Sequence, residues 1–198
     1  MSKADPAASN KARSKTVRWV VTIFLVTIVI SGIISFVSDE VMQNSGMFTA
    51  FLILLAIILV GIIFDIIGMA VATADEKPFH SMAARKVPGA QAAIRLLRNA
   101  ERVSSICNDV VGDICGVVSG SASATIAAQI LQNMEFTWPQ LVGLLMSAFC
   151  AGLTVGGKAI GKTFAVNSAT SIVHTVGKLI YWLDHVPDFF RSKNKSKR

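Results

Sequence analysis

The residues best placed to do chemistry are carboxylates and an amide set inside otherwise apolar stretches: Asp65, Asn108, Asp109 and Asp113. An ionisable side chain in hydrocarbon costs about 2.5–3.5 kcal/mol even on the most lenient scale, so it marks an ion or proton path by default. Counted inward from the polar ends of their segments at ~1.5 Å per residue, Asp65 lies ~13 Å deep, Asp109 ~9 Å and Asp113 ~15 Å, so the three can meet at one level. Asp109 and Asp113, four apart, share a helix face, with Asn108 beside them and Gly112 on the next turn above it. Ser119 and Ser121 on the same segment add neutral oxygens. Hard oxygen ligands of this kind suit Mg²⁺ or Ca²⁺, or a Na⁺-coupled or proton-coupled site. The competing reading is structural: the carboxylates are neutral or hydrogen-bonded to Ser and Thr and hold helices together, with Lys158 as an ion-pair partner.

Other patterns point elsewhere only superficially. Gly156 to Thr163 satisfies the G-x-x-x-x-G-K-[ST] phosphate-loop spacing, but that spacing has meaning only between a strand and a helix. Here it follows an apolar helix with no strand-helix alternation anywhere, so no nucleotide is expected. His80, His174 and His185 are scattered and read as surface or packing residues, and Ser119, Ser121 and Ser123 lack a nucleophile elbow or a paired base. No enzyme activity is expected. Cys107, Cys115 and Cys150 have no C-x-x-C spacing and read as small apolar packing residues.

The elements that must position these groups are transmembrane helices. Of the 198 residues, 53% are hydrophobic and 16% charged, which disfavours a soluble domain, where about 25% are charged. Trp19 to Val37 and Met47 to Phe64 each run about 18 residues without a charge, enough to cross the ~30 Å hydrocarbon core. The first run is longer than a signal-peptide core and lacks a clear A-x-A cleavage site, so it reads as a retained span. The sequence predicts spans at about 17–37, 47–73 and 103–131 and a fourth starting near Pro139. The fold class is all-α, a polytopic membrane protein of about four spans with amphipathic juxtamembrane helices.

Charge placement sets the expected topology. With four spans, all 19 basic residues fall on one side, and the opposite loops hold only Asp39, Glu40 and Glu135. That is the positive-inside pattern, with both termini cytoplasmic and the protein in an inner or plasma membrane. The net charge of +7 is therefore a topology signal, and no nucleic acid partner is expected. Residues 1–16 and the last eight read as disordered basic tails. Pro78 and Pro88 break the connection 75–102 into short pieces, with Gly89 to Arg102 a helix that gathers Ala93, Ile94 and Leu97 on one side. Thr163 to Val186 reads as an amphipathic helix with Ile172, Val176, Leu179, Ile180 and Leu183 on one side. The third span is too polar to face lipid and is expected among the other helices. Gly143, Ser147 and Ala151, and Ala148, Gly152 and Gly156, form small-residue stripes suited to tight helix contacts.

Over about 55–185 this order of features resembles the transmembrane domain of the CNNM/CorC family. The likeness rests on Gly68-Met69-Ala70-Val71-Ala72-Thr73-Ala74 closing the second span and on GAQAAIRLLRNAERVSS, similar to that family's G-A-x-x-A-L-x-L-L-x-x-P-E-R-x-x-S. It continues to Gly157 through Ala165, similar to its G-E-I-x-P-K-T-x-A ending. The resemblance implies Mg²⁺ or other divalent-cation transport, a three-span core with juxtamembrane helices, and a homodimer. It divides the chain into a basic tail (1–16), an extra span (17–37), a CNNM/CorC-like membrane domain (47–187) and a second basic tail (188–198), with no regulatory CBS pair. The departures fall at the chemistry: Asp65-Ile66-Ile67-Gly68-Met69-Ala70 replaces S-G-S-E-T-A, and Val110 to Cys115 replaces G-N-N-x-x-N. Lys158 stands where the family has glutamate, and Gly161 replaces its proline. The sequence thus predicts a cation site of Asp65, Asn108, Asp109, Asp113, Ser119 and Ser121 opening to the cytoplasm. The alternative is a non-transporting scaffold or regulatory subunit whose cytoplasmic helices recruit a protein partner.

Overall fold

The structure, a computed structural model, describes the backbone of residues 6–43, 45–133 and 138–195 and the side chains of 17–42, 45–132 and 138–184. In chain order the elements are α1 (Pro6–Gln43), α2 (Met47–Thr73), α3 (Lys77–Ala84), α4 (Ala90–Arg98), α5 (Ala100–Ser105), a π-helix (Ile106–Gly112), α6 (Asp113–Asn133), α7 (Pro139–Asn167) and α8 (Ala169–Lys195). No strand occurs among the described residues. The protein is all-α, and four helical stretches are long and apolar enough to cross a membrane: Val17–Met42, Met47–Thr73, Ala100–Gln132 and Pro139–Asn167.

Helix α2 is the hub, packing on α6, α7 and the π-helix along its length and on α5 and α8 at one end. Its inward stripe, Ala50, Leu54, Ile58, Gly61, Asp65 and Gly68, recurs every three or four residues, the period of one helix face. The third span is the most buried of the four, 39% of its most apolar window against 0% for the first. The polar third span is therefore inside, as expected, because its backbone groups and small polar side chains find partners there rather than in hydrocarbon. Helix α1 leans on α6 and presents the rest of its apolar surface outward.

Two apolar clusters hold the bundle. One joins Met42, Ala50, Leu54, Ile58, Ala122, Ile126 and Cys150 near the α1–α2 connection. The other joins Ala70, Val71, Phe79, Ala93, Ile94, Ala165, Ala169 and Val173 where α3, α4 and α8 fold back against the spans. We call this second end the basic end, since it carries Arg85, Lys86, Arg95, Arg98 and Arg102. Pro78 opens α3, and the turn after Ala84 uses positive φ at Lys86 (56°) and Gly89 (85°) before α4 begins. Gly89 is required there twice over: a side chain would strain its left-handed backbone, and a Cβ would come 2.5 Å from the Lys178 backbone nitrogen. On α8 the packed stripe is Ala169, Val173 and Gly177. The expected face of Ile172, Val176 and Leu179 instead lines an open apolar groove against Ile63, Ile66, Ile67 and Phe164.

Several boundaries differ from the sequence expectation. Residues 6–16, read as part of a disordered tail, are helical, as are 191–195 of the last eight; Ala7, Ala8, Lys11, Ala12 and Arg13 are good helix formers behind a permissible first-turn proline. Residues 39–43, read as loop, continue α1. Glu135 and the side chain of His185 lie outside the described residues. The extension of α1 matters because it carries Asp39 to α6, where the carboxylate accepts hydrogen bonds from Ser121 Oγ at 3.3 Å and Thr125 Oγ1 at 3.4 Å. Gln129 Nε2 donates to the Met42 carbonyl at 2.9 Å just beyond. We expect Ser121→Ala to lower stability by about 0.5–1.5 kcal/mol, the worth of one such bond, measured by thermal unfolding in detergent.

Candidate functional site

The second and third spans run antiparallel, and their contact is a ladder in which each bulky side chain fills a space left by glycine. Gly61 faces Cys115, whose Cβ would stand 2.8 Å from a Cβ built on that glycine. One turn on, Asp65 faces Gly112, where a built Cβ would lie 3.9 Å from Asp65 Oδ1. On the next turn Gly68 faces Asn108, whose amide occupies the place of a Gly68 side chain. Gly68 is therefore small for packing reasons, since the Asn108 amide fills the space a side chain would need, whereas at Gly112 a Cβ would meet Asp65 only at ordinary contact distance.

The segment bearing Asn108 and Gly112 is the π-helix, whose i→i+5 bonding is uncommon and favours functional sites. Helix α7 completes the junction. Gly157 sits against Ile62, and a Cβ on Gly161 would come 2.8 Å from Ile66 Cγ1, so this helix approaches α2 closely. That approach carries Lys158 to the site, where its Nζ donates to the Gly112 carbonyl at 3.3 Å. The phosphate-loop spacing thus lies wholly within α7, and at least two of its glycines are helix-packing positions.

Asp65 is only 4% exposed. Among the described residues no hydrogen-bond donor reaches its Oδ2, nor Asn108 Oδ1, and both atoms are buried. Asn108 does spend its Nδ2 on Ser104 Oγ at 3.4 Å, so the amide is held with its oxygen free. Asp65 and Lys158 form no ion pair: among the described residues the ion pairs are His80 and Arg98 with Glu76, at 3.1 and 3.3 Å on the surface. His174 Nε2 on α8 is the remaining buried atom without a partner among the described residues. The junction therefore holds two buried acceptor oxygens, Asp65 Oδ2 and Asn108 Oδ1, at successive contacts of α2 with the third span, with Lys158 Nζ on the Gly112 carbonyl beside Asp65.

The six residues expected to form one cation site are divided among different places. Asp65 and Asn108 come together. Asp109 and Asp113 do share a face, as their spacing requires, but that face is exposed, and Asp109 Oδ2 accepts from Ser105 Oγ at 2.7 Å. The positions packed toward α2 are Cys107, Asn108, Gly112 and Cys115, so the exposed carboxylates lie on another side of the helix. Ser119 is buried and donates to Gly116 O at 2.9 Å, while Ser121 is bound to Asp39. Among the described residues no group of three or more His, Cys, Asp or Glu side chains is placed to hold a metal ion. Lys158, read as an ion-pair partner, is the member of the junction that was not counted with the site; its signal was a lone charge beside glycines that favour close helix approach. We expect Asp109→Asn and Asp113→Asn to change the unfolding free energy by no more than about 0.5 kcal/mol and to leave any ion response intact.

Fold and site together define a four-span helical membrane protein with a polar junction buried between its second, third and fourth spans. No family model, curated protein or solved structure matches the chain.

Proposed function

We propose that this protein binds a cation inside the membrane at Asp65 and Asn108, and that it moves the ion across. The observation that carries the reading is the pair of buried acceptor oxygens without a donor, Asp65 Oδ2 and Asn108 Oδ1. An unsatisfied buried polar atom costs about 1–3 kcal/mol, more when charged. A cation supplies to both oxygens what no N–H or O–H of the described residues supplies, and oxygen donors of this type are the ligands that hard ions take. The buried acidic residue in a span favours an ion path over a packing role, and the π-helix supports the same reading. The resemblance of 55–185 to CNNM/CorC membrane domains supports cation transport as the class of function. The one-sided basic residues support an orientation with the basic end in the cytoplasm of an inner or plasma membrane.

A second reading is favoured by one observation, the bond from Lys158 to the Gly112 carbonyl. In that reading Lys158 neutralises Asp65 at short range, the junction is a structural lock, and the chain is a scaffold or regulatory subunit.

The deciding experiment is ion uptake into proteoliposomes holding the full chain. The transport reading expects saturable flux of a metal cation that Asp65→Asn abolishes and Asp113→Asn leaves unchanged. Uptake no greater than in protein-free liposomes for Na⁺, K⁺, Mg²⁺ and Ca²⁺ would reject transport.

A further inference from the structure

The junction contains a half-buried lysine, which an ordinary divalent-cation site would exclude. Lys158 Nζ donates to Gly112 O at 3.3 Å, and the point where a Gly112 Cβ would stand is 3.3 Å from that nitrogen and 3.9 Å from Asp65 Oδ1. A Cβ at Gly112 would be accommodated only if the lysine nitrogen gave by a few tenths of an ångström. The ammonium occupies a carbonyl oxygen flanking the carboxylate whose other oxygen is free of donors. Lys is suited to the task because it is a compact charge with three rotatable donors on a flexible stem.

We infer that Lys158 sets the charge class of the ion: its ammonium holds the Gly112 carbonyl and offsets the charge of Asp65, so the site takes a monovalent cation and rejects a divalent one. This inference rests on the reading of Asp65 and Asn108 as ion ligands and names the substrate class of that site. Coulomb repulsion scales with the product of the charges. A single carboxylate facing an ammonium is already balanced, so a monovalent ion leaves one net positive charge in a low-dielectric interior and a divalent ion leaves two. No second carboxylate compensates, because Asp109 and Asp113 lie on the exposed face. The other titratable side chains packed here, Cys107 and Cys115, are thiols and add no oxygen. Removing the ammonium both frees the Gly112 carbonyl and restores the full charge of Asp65, which is the change that admits a divalent ion.

The test is thermal unfolding of the purified full chain in detergent, titrated with NaCl, KCl, MgCl₂ and CaCl₂ at ionic strength held constant with choline chloride. Wild-type protein is expected to show a saturable rise with NaCl or KCl and none with MgCl₂ or CaCl₂ at tenfold higher concentration. Lys158→Gln is expected to gain a saturable response to MgCl₂ or CaCl₂, with half-saturation at least tenfold below any seen in wild type. Lys158→Arg keeps the charge and is expected to keep the wild-type order, which a loss of packing alone would not restore. Asp65→Asn abolishes the response in either background. If Lys158→Gln keeps the wild-type order and half-saturation while Asp65→Asn still abolishes the response, the ion site stands and the role of Lys158 is overturned. Saturation of wild type by a divalent ion at monovalent-like concentrations overturns it too. A flat response to all four salts in wild type and Lys158→Gln overturns the site itself. Should Lys158→Gln not fold, Lys158→Met makes the same comparison.

Discussion

Replacing Asp65 by Asn is expected to abolish stabilisation of the protein by its cation. A ligand that binds only the folded state adds about 2.7 kcal/mol at a hundredfold excess over its dissociation constant, and the whole of that increment should vanish from the melting curve. The substitution keeps the size of the side chain, so the neighbouring Gly112 is not crowded. It removes the acidic acceptor and leaves an amide of the same shape in its place. The ion-free protein is therefore expected to unfold near the wild-type temperature. A loss of about 3–5 kcal/mol without any ion, the usual result of orphaning one partner of a buried ion pair, would instead identify Asp65 as the structural counter-ion of Lys158.

The second large effect is expected far from the ion site, in the packing of α4 on α8. Gly89 holds φ at 85° and would drive a Cβ to within 2.5 Å of the Lys178 backbone, while a Cβ on Gly177 would stand 2.6 Å from the Gly89 carbonyl. Neither obstacle is a flexible side-chain tip, so neither can swing away. Gly89→Val combines backbone strain of about 1–3 kcal/mol with overpacking of about 1–3 kcal/mol, and we expect about 2–5 kcal/mol of destabilisation by thermal unfolding. Because Ala93, Ile94, Ala169 and Val173 share one cluster with Ala70 and Val71 of α2, the loss should be cooperative. Protease sensitivity should rise first in the 85–98 segment.

The four spans were legible because each rests on an uninterrupted apolar window, a signal of length rather than of detail. The inward position of the third span was legible for a similar reason, since Asn108, Asp109, Asp113 and a run of serines cannot all face lipid. Which of its sides faces α2 was not legible. The four-residue spacing places Asp109 and Asp113 together, and equally places Asn108 with Gly112, and nothing in the spacing says which pair turns inward. The answer lies in long-range fit: Gly68 leaves room for Asn108, and Gly61 for Cys115, on the side of the third span that meets α2. The π-helix has no residue signature in Ile106 to Gly112. Asp39 was assigned to a loop because it follows the apolar run, yet Ser121 and Thr125 on α6 hold it within α1. Lys158 reads from the sequence as an ion-pair partner of the carboxylates, and its place on the Gly112 carbonyl depends on the close approach of Gly157 and Gly161 to α2.

The central claim is that the buried oxygens of Asp65 and Asn108 bind an ion. Its most direct test is equilibrium dialysis of the purified protein against radiolabelled Na⁺ and, separately, K⁺, with Asp65→Asn and Asn108→Leu in parallel. The account predicts one ion bound per chain in wild type for at least one of the two, none in Asp65→Asn and at least tenfold weaker binding in Asn108→Leu. Equal binding by wild type and Asp65→Asn would contradict it.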